Sequence, residues 1–146
     1  MNIRRMKIED YESVYSLWLS CSGMGLNNID DSREGIKRFL ERNPDTCFLA
    51  EENSVIVGAI IAGNDGRRGY IYHTAVSPEY RHRGIASQLV DKVMKSFAEL
   101  GISKVALVVF ERNETGNAFW EKQGFTQRKD LIYRNKSIVD FVRIDT

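Results

Sequence analysis

The stretch from Val76 to Ala86 concentrates the chain's chemistry: Ser77 and Pro78, then Arg81, His82 and Arg83, then Gly84, Ile85, Ala86 and Ser87. It lies between a β-branched run and a helical pattern, so it leads from the carboxyl end of a strand into the first turn of a helix. That is where an anion binds. The first N–H groups of a helix have no internal partner, and the macrodipole places about half a positive charge there. Gly84 lets the backbone approach phosphate oxygens without a Cβ, Ala86 keeps the first turn open, and Arg81 and Arg83 can neutralise charge at the rim. A diphosphate fits such a turn, although spacing alone favours a plain solvated basic turn. Two other phosphate motifs fail. Gly58 and Gly63 have the glycine spacing of a Walker loop but are followed by Asn64 and Asp65 instead of Lys and Ser or Thr, and no G-x-G-x-x-G opens the chain.

The other reactive side chains are sparse. Cys21 and Cys47 lack a Cys-x-x-Cys spacing and read as two reduced, half-buried thiols. His73 and His82 pair neither with each other nor with the cysteines at a metal-ligand spacing, so no metal site is expected. Asn113 and Asn135 open glycosylation-type triplets, which matter only in a secreted chain. On a regular strand Tyr70, Tyr72, Thr74 and Val76 share one face, while Ile71, His73 and Ala75 share the other.

Several elements must position these groups. Asn2 to Arg5 reads as a strand, and Tyr11, Val14, Tyr15 and Trp18 form the apolar stripe of a helix with Asp10 in its first turn. Cys21 to Asp30 breaks the period as a loop. Asp31 with Glu34 resembles a capping box for a second helix with Ile36, Phe39 and Leu40 on its apolar face, stopped by Asn43 and Pro44. Thr46 to Glu51, Val55 to Asn64 and Tyr70 to Val76 read as an antiparallel meander. Leu89, Val90, Val93, Met94 and Phe97 mark a helix ending at Leu100 and Gly101, and Val105 to Val109 a buried strand. Tyr70 to Val109 is then a right-handed βαβ unit with parallel outer strands, whose carboxyl ends favour ligands. A short helix from Thr115 to Gln123 and two strands, about Phe125 to Ile132 and Ser137 to Ile144, complete the pattern.

Composition narrows the classes. The 146 residues suit one domain spanning 1–146, and 42% hydrophobic with 28% charged residues is globular composition. The net charge of +1 offers no broad field for nucleic acid or an anionic membrane, so any anion site is local. Charged residues from Arg4 to Asp10 leave no room for a signal peptide, and Val55 to Ala62 is far short of a membrane span. The expectation is a cytoplasmic protein.

In this order the motifs resemble the GNAT superfamily of acyl-CoA-dependent N-acetyltransferases. Its signature, [QR]-x-x-G-x-[GA] after a strand ending in Val-x-Pro, is matched by Arg81, Gly84 and Ala86 after Val76 and Pro78. The likeness extends to Ile3 and Arg4, to Val57 and Gly58, and to Asn113 followed by Ala118 through Phe125. It implies an α/β (α+β) fold: a mixed, mostly antiparallel central sheet with flanking helices and a splayed parallel strand pair that binds acetyl-CoA as co-substrate. In the family, backbone groups near Thr74, Ala75 and Val76 would pair with the pantetheine amides, and the N–H groups of His82, Arg83, Gly84, Ile85, Ala86 and Ser87 would hold the pyrophosphate. Asn113 and Trp120 would touch the cofactor arm.

The resemblance also frames the catalysis. The Val76 N–H would meet the oxyanion. The family often protonates the leaving sulfur with a Tyr where this chain has Trp120, and indole has no comparably acidic proton. A thiol of pKa about 8.5 is a tolerable leaving group without that help. The face carrying Tyr72 would look toward the acceptor, with Tyr72 ordering a water that takes the proton and Tyr70 assisting. His73, on the opposite face, reads as a satisfied core or helix-facing histidine. Val108 stands where members acting on protein N-termini often carry a Glu, which favours a small primary amine. Asp30, Asp31 and Glu34 could attract a cation or serve as surface and capping acids. A non-catalytic acyl-CoA-binding module, a protein N-terminal acetyltransferase and a homodimer stay open.

Overall fold

The structure is a computed structural model that describes residues 1–145. Its elements are β1 (Asn2–Arg5), a 3-10 turn (Ile8–Asp10), α1 (Tyr11–Ser20), β2 (Leu26–Asn27), α2 (Arg33–Arg42), β3 (Cys47–Glu52), β4 (Val55–Asn64) and β5 (Gly69–Val76). A second 3-10 turn (Pro78–Tyr80) leads to α3 (Ile85–Glu99), β6 (Val105–Ala106), α4 (Glu114–Lys122) and β7 (Arg143–Asp145). The main sheet runs in the order β1-β3-β4-β5-β6, antiparallel except for the parallel pair β5 and β6. Its mixed α/β architecture with flanking helices is the one expected. Among the described residues no helix is long and apolar enough to cross a membrane.

Each face of the sheet is covered. Val14, Leu17 and Trp18 of α1 and Ile36 and Leu40 of α2 pack on Leu49, Ala59, Ile61 and Ala75. Leu89, Val90, Val93 and Phe97 of α3 pack on Phe48, Ala50, Val57, Ile60 and Ile71. Helices on both faces explain why β4 is apolar at nearly every position instead of alternating. Gly58 on β4 permits a close approach: a Cβ there would lie 3.0 Å from Ile85 Cγ2 and 3.2 Å from Leu89 Cδ1. The start of α3 therefore seats directly on the sheet.

One irregularity in β5 governs the site. Ile60 pairs with Thr74 and Ala62 with Ile71, so β4 advances by two residues while β5 advances by three. The extra residue lies at Tyr72 and His73, a β-bulge. Strict alternation consequently fails. Ile71 faces α3, yet Ala75, four positions on, faces α1. Tyr72 packs edge-on to Phe39 of α2 and His73 edge-on to Trp18 of α1, so these neighbours share one side. Val76 packs on the α3 side. The expected separation of His73 from Tyr72, and the grouping of Val76 with Tyr72, are both overturned.

Three further expectations are corrected. Ser32, not Asp31, caps α2, its hydroxyl accepting from Gly35 N at 3.1 Å. β6 pairs only through Val105 and Ala106, because the chain departs from β5 before Val109. Neither late strand forms over its expected range: Phe125 to Ile132 is irregular, and only Arg143–Asp145 pairs, with β2. Alternating apolar residues make a strand only where a partner edge and a face await them, and β6 offers an edge of just two residues. Ile132 is 78% and Ile138 99% exposed accordingly. Cys21 and Cys47 are free and buried, and burial pushes the Cys47 thiol up to about 12.

Candidate active site

At the start of α3 the backbone takes the shape an anion requires. His82 and Gly84 have φ of 64° and 76°, which turns the chain sharply into the helix. The first hydrogen bond into that helix is Gln88 N to Gly84 O at 3.1 Å, leaving the N–H groups of Ile85, Ala86 and Ser87 without intrahelical acceptors. No side chain caps this end and its first turn has no acid. Nothing lies within 4 Å of where a Gly84 Cβ would stand, so the space before these donors is open. Arg81 folds back, its Nε donating to the Val76 carbonyl at 3.3 Å. Arg83 turns away from the cleft, stacking on Tyr80 and reaching toward Glu52 at 3.9 Å, so it does not stand at the rim as expected.

Strand pairing decides which backbone groups of β5 are free. Ser77 N donates to Val57 O of β4 at 2.8 Å, and Val76 stands opposite Gly58. In an antiparallel ladder successive residues alternate between pairing with a neighbour and pointing away. The N–H and C=O of Val76 and Thr74 therefore point away from β4, into the gap toward β6, while those of Ala75 are spent on Ala59. The Val76 carbonyl confirms this by accepting from Arg81 and from Cys21 Sγ, at 3.5 Å. Of the three residues expected to offer backbone groups, only Thr74 and Val76 do so. Because β5 and β6 pair only from Gly69 to Tyr70, the strands splay beyond, and Val108, Val109 and Phe110 form the far wall.

The gap opens into a cleft of about 1010 Å³ that brings together Tyr72, Thr74, Ala75, Val76, Arg81, His82, Gly84, Ile85, Ala86, Ser87, Asn113 and Trp120. Of the residues expected to hold the cofactor or to act in catalysis, Arg83 alone does not line it. Asn113 caps α4 through its Oδ1, which accepts from Gly116 N at 2.9 Å. Trp120 is held edge-on between Phe119 and Phe125, with centroids 5.0 and 5.2 Å away, so packing fixes the indole as it lines the cleft. The Thr74 hydroxyl is buried without a hydrogen-bond partner among the described residues. A smaller recess of about 400 Å³ beside the start of α2 contains none of these residues.

The opposite end of the cleft is aromatic. Tyr70 and Tyr72 lie with ring centroids 4.6 Å apart, and Tyr133 also lines this end. Burial, helped by neighbouring Tyr133 and Tyr72, pushes the Tyr70 phenol up to about 12. Burial, then Asp30 and Tyr133, likewise raises Tyr72. Neither phenol gives up its proton readily near neutrality. Sequence reasoning missed a pair beside them: His73 Nε2 lies 2.6 Å from Asp31 Oδ1, with the two side chains 15% and 6% exposed. The second carboxylate oxygen accepts from Asn27 N at 2.8 Å. Asp31 is thus neither a surface acid nor a cap. Asp30 and Glu34 do stay exposed.

Comparison with known proteins agrees with this architecture. The family described as Acetyltransferase (GNAT) family matches residues 11–125. An acetyltransferase of Pectobacterium atrosepticum is 34% identical over 140 residues, covering 96% of this chain and 97% of that protein. Among solved structures, Ard1 from Thermoplasma volcanium superposes with a TM-score of 0.77 at 23% identity, over 86% of this chain and 82% of that one. The aminoglycoside N-acetyltransferase AAC(6')-Iy, solved with a CoA bisubstrate analogue, superposes with a TM-score of 0.72 at 21% identity, over 93% and 97%. The chain belongs to the GNAT family and is an acetyltransferase.

Proposed function

We propose that this protein transfers the acetyl group of acetyl-CoA to the primary amine of a small molecule. The observation that carries this reading is the union, in one cleft, of the uncapped start of α3 with the gap-facing backbone of Thr74 and Val76. The residues suit the co-substrate. The free N–H groups from Ile85 to Ser87 match a pyrophosphate, the strand-like edge at Thr74 and Val76 matches the pantetheine amides, and the unpartnered Thr74 hydroxyl awaits a polar group. The Val76 N–H, unspent on β4, would stabilise the oxyanion of the thioester carbonyl. Val108 on the far wall supplies no carboxylate for a peptide amino group, which supports a small acceptor.

The test is a panel of small primary amines and N-terminal peptides, scored by release of free CoA thiol that requires both acetyl-CoA and the amine. Turnover with small amines and none with peptides is the expected result. Turnover confined to peptides would replace the acceptor class. Tight acetyl-CoA binding without amine-dependent release would identify a binding module.

A further inference from the structure

His73 lines the cleft and pairs with buried Asp31, and the reading above has no use for this pair of proton-active side chains. Asp31 accepts at both oxygens: Oδ2 from Asn27 N at 2.8 Å, Oδ1 from His73 Nε2 at 2.6 Å. Its own carbonyl accepts from the Tyr11 hydroxyl at 2.6 Å, so the loop carrying it is tied to α1. A buried carboxylate flanked by N–H donors requires the proton of a neutral imidazole to lie on Nε2, which leaves the lone pair on Nδ1. Nδ1 has no hydrogen-bond partner among the described residues and is not sealed from solvent. Trp18, edge-on with its centroid 4.9 Å away, restrains the ring.

We infer that His73 is the general base that takes the proton from the acceptor amine, with Asp31 as the positioning residue that fixes its tautomer and orientation. The inference rests on the acetyl-transfer reading and adds to it the group that accepts the proton. The bulge makes it possible, since it brings His73 to the same side as Tyr72 at the acceptor end. His73 stands three residues before Val76, about 10 Å of extended chain, a span the imidazole, the amine and one water can bridge. The neighbouring phenols, raised by burial, suit ordering that water better than accepting its proton.

The step balances without further reactants. The amine lone pair forms the N–C bond at the thioester carbonyl carbon while the C=O π pair moves to oxygen, and Nδ1 takes one N–H proton. When the oxygen pair returns, the C–S bond breaks, its electrons leave on sulfur, and the imidazolium proton passes to the thiolate. The products are the amide and the CoA thiol.

Two measurements test the base. His73 and His82 are the chain's two histidines, so long-range 1H–15N spectra of the full-length protein, assigned with His82→Asn, read both tautomers directly. For the neutral ring the expected spectrum shows His73 with Nε2 protonated, and Asp31→Asn shifts that tautomer. A neutral ring with its proton on Nδ1 overturns the proposal whether or not an acceptor has been found. With an amine from the panel, His73→Gln should lower kcat by about 10²–10⁴ while acetyl-CoA affinity and thermal midpoint hold, and the acidic limb of the pH profile should disappear. Asp31→Asn should lower kcat at least tenfold and displace that limb. Tyr11 donates to the Asp31 carbonyl, Asp30 and Tyr72 are next in sequence to the pair, and Cys21 also lines the cleft, so the limb must survive Asp30→Asn and Cys21→Ser to belong to His73. Turnover within about threefold of wild type in His73→Gln removes the base and leaves acetyl transfer standing. No turnover with any small amine removes the small-amine reading, and the tautomer measurement still decides His73.

Discussion

The two ends of the cleft are built by different means. On the proposed reading, recognition at the end formed by α3 rests on backbone: uncapped N–H groups, two residues at positive φ, and an edge of β5 whose amides point into a gap. At the acceptor end it rests on side chains drawn from separate elements: Tyr70, Tyr72 and His73 from β5, Phe39 from α2, Asp31 from the loop before it and Trp18 from α1. A backbone site follows from local geometry and tolerates many side chains around it. A side-chain site exists only once the helices have docked on the sheet.

The largest effect expected at the backbone end comes from Val76→Pro. Because Val76 N–H points into the gap, proline deletes that donor without removing a bond to β4, and turnover should fall by about 10²–10³. Circular dichroism must show the sheet intact. Turnover near wild type would mean the oxyanion is met elsewhere.

Gly84→Asp should weaken acetyl-CoA binding by more than about tenfold, or 1.4 kcal/mol, since it sets a negative charge before the free N–H groups. The space around Gly84 is open, but its φ of 76° strains any residue with a Cβ, Asp less than most, so a thermal melt must show the variant folded before the loss is assigned to binding. Unchanged affinity by calorimetric titration would remove the phosphate role of this turn.

Trp120 lies between the two regimes, a side chain on the backbone-built half. If it only packs, Trp120→Phe should leave turnover within a few-fold, and Trp120→Tyr should match wild type or raise it, by up to roughly 100-fold if the phenol reaches the sulfur. A collapse in Trp120→Phe with cofactor and amine affinity intact would make the indole N–H a participant. Affinities must be measured with kcat to separate the two.

The smallest effect on the cleft is expected from Asp10, which serves as a control. Arg4 donates to both its oxygens, at 2.9 and 2.8 Å, and holds the Asp10 carboxyl below its ordinary value. A carboxyl depressed on folding adds stability above its unfolded pKa, about 3.9, and loses it as pH falls through the lower folded value. Asp10→Asn should therefore cost on the order of 1 kcal/mol at neutral pH, discounted for partial exposure, with most of the difference gone in strong acid. Acetyl-CoA affinity should not change. Thermal melts across that range check the sign.

Much of this was legible in sequence because it depends on neighbours along the chain. The stripe from Tyr11 to Trp18, the meander from β3 to β5, and the turn from Arg81 to Ala86 opening α3 are periodicity and local backbone, and they fold as expected. The free N–H donors of that turn were readable for the same reason, since a helix start creates donors wherever it occurs. Arg83 was readable only as a cation, for its direction depends on Tyr80 and on Glu52 of a distant strand. The late strands show the opposite limit: alternation was present, and the edge that would have paired with it was not.

The sequence by itself determined the helices, the meander and the free N–H donors at the start of α3, because hydrophobic period and helix termini are properties of short segments. Tertiary structure alone decided which side chains share the acceptor end. Asp31 and His73 lie 42 positions apart, and their pairing follows from α2 and its preceding loop docking beside β5. The bulge that turns His73 toward Tyr72 is a mismatch in register between two strands, and so belongs to the pair and to neither strand alone. A side chain's facing is inherited from its partner strand, which is why counting along β5 assigned His73 to the opposite face.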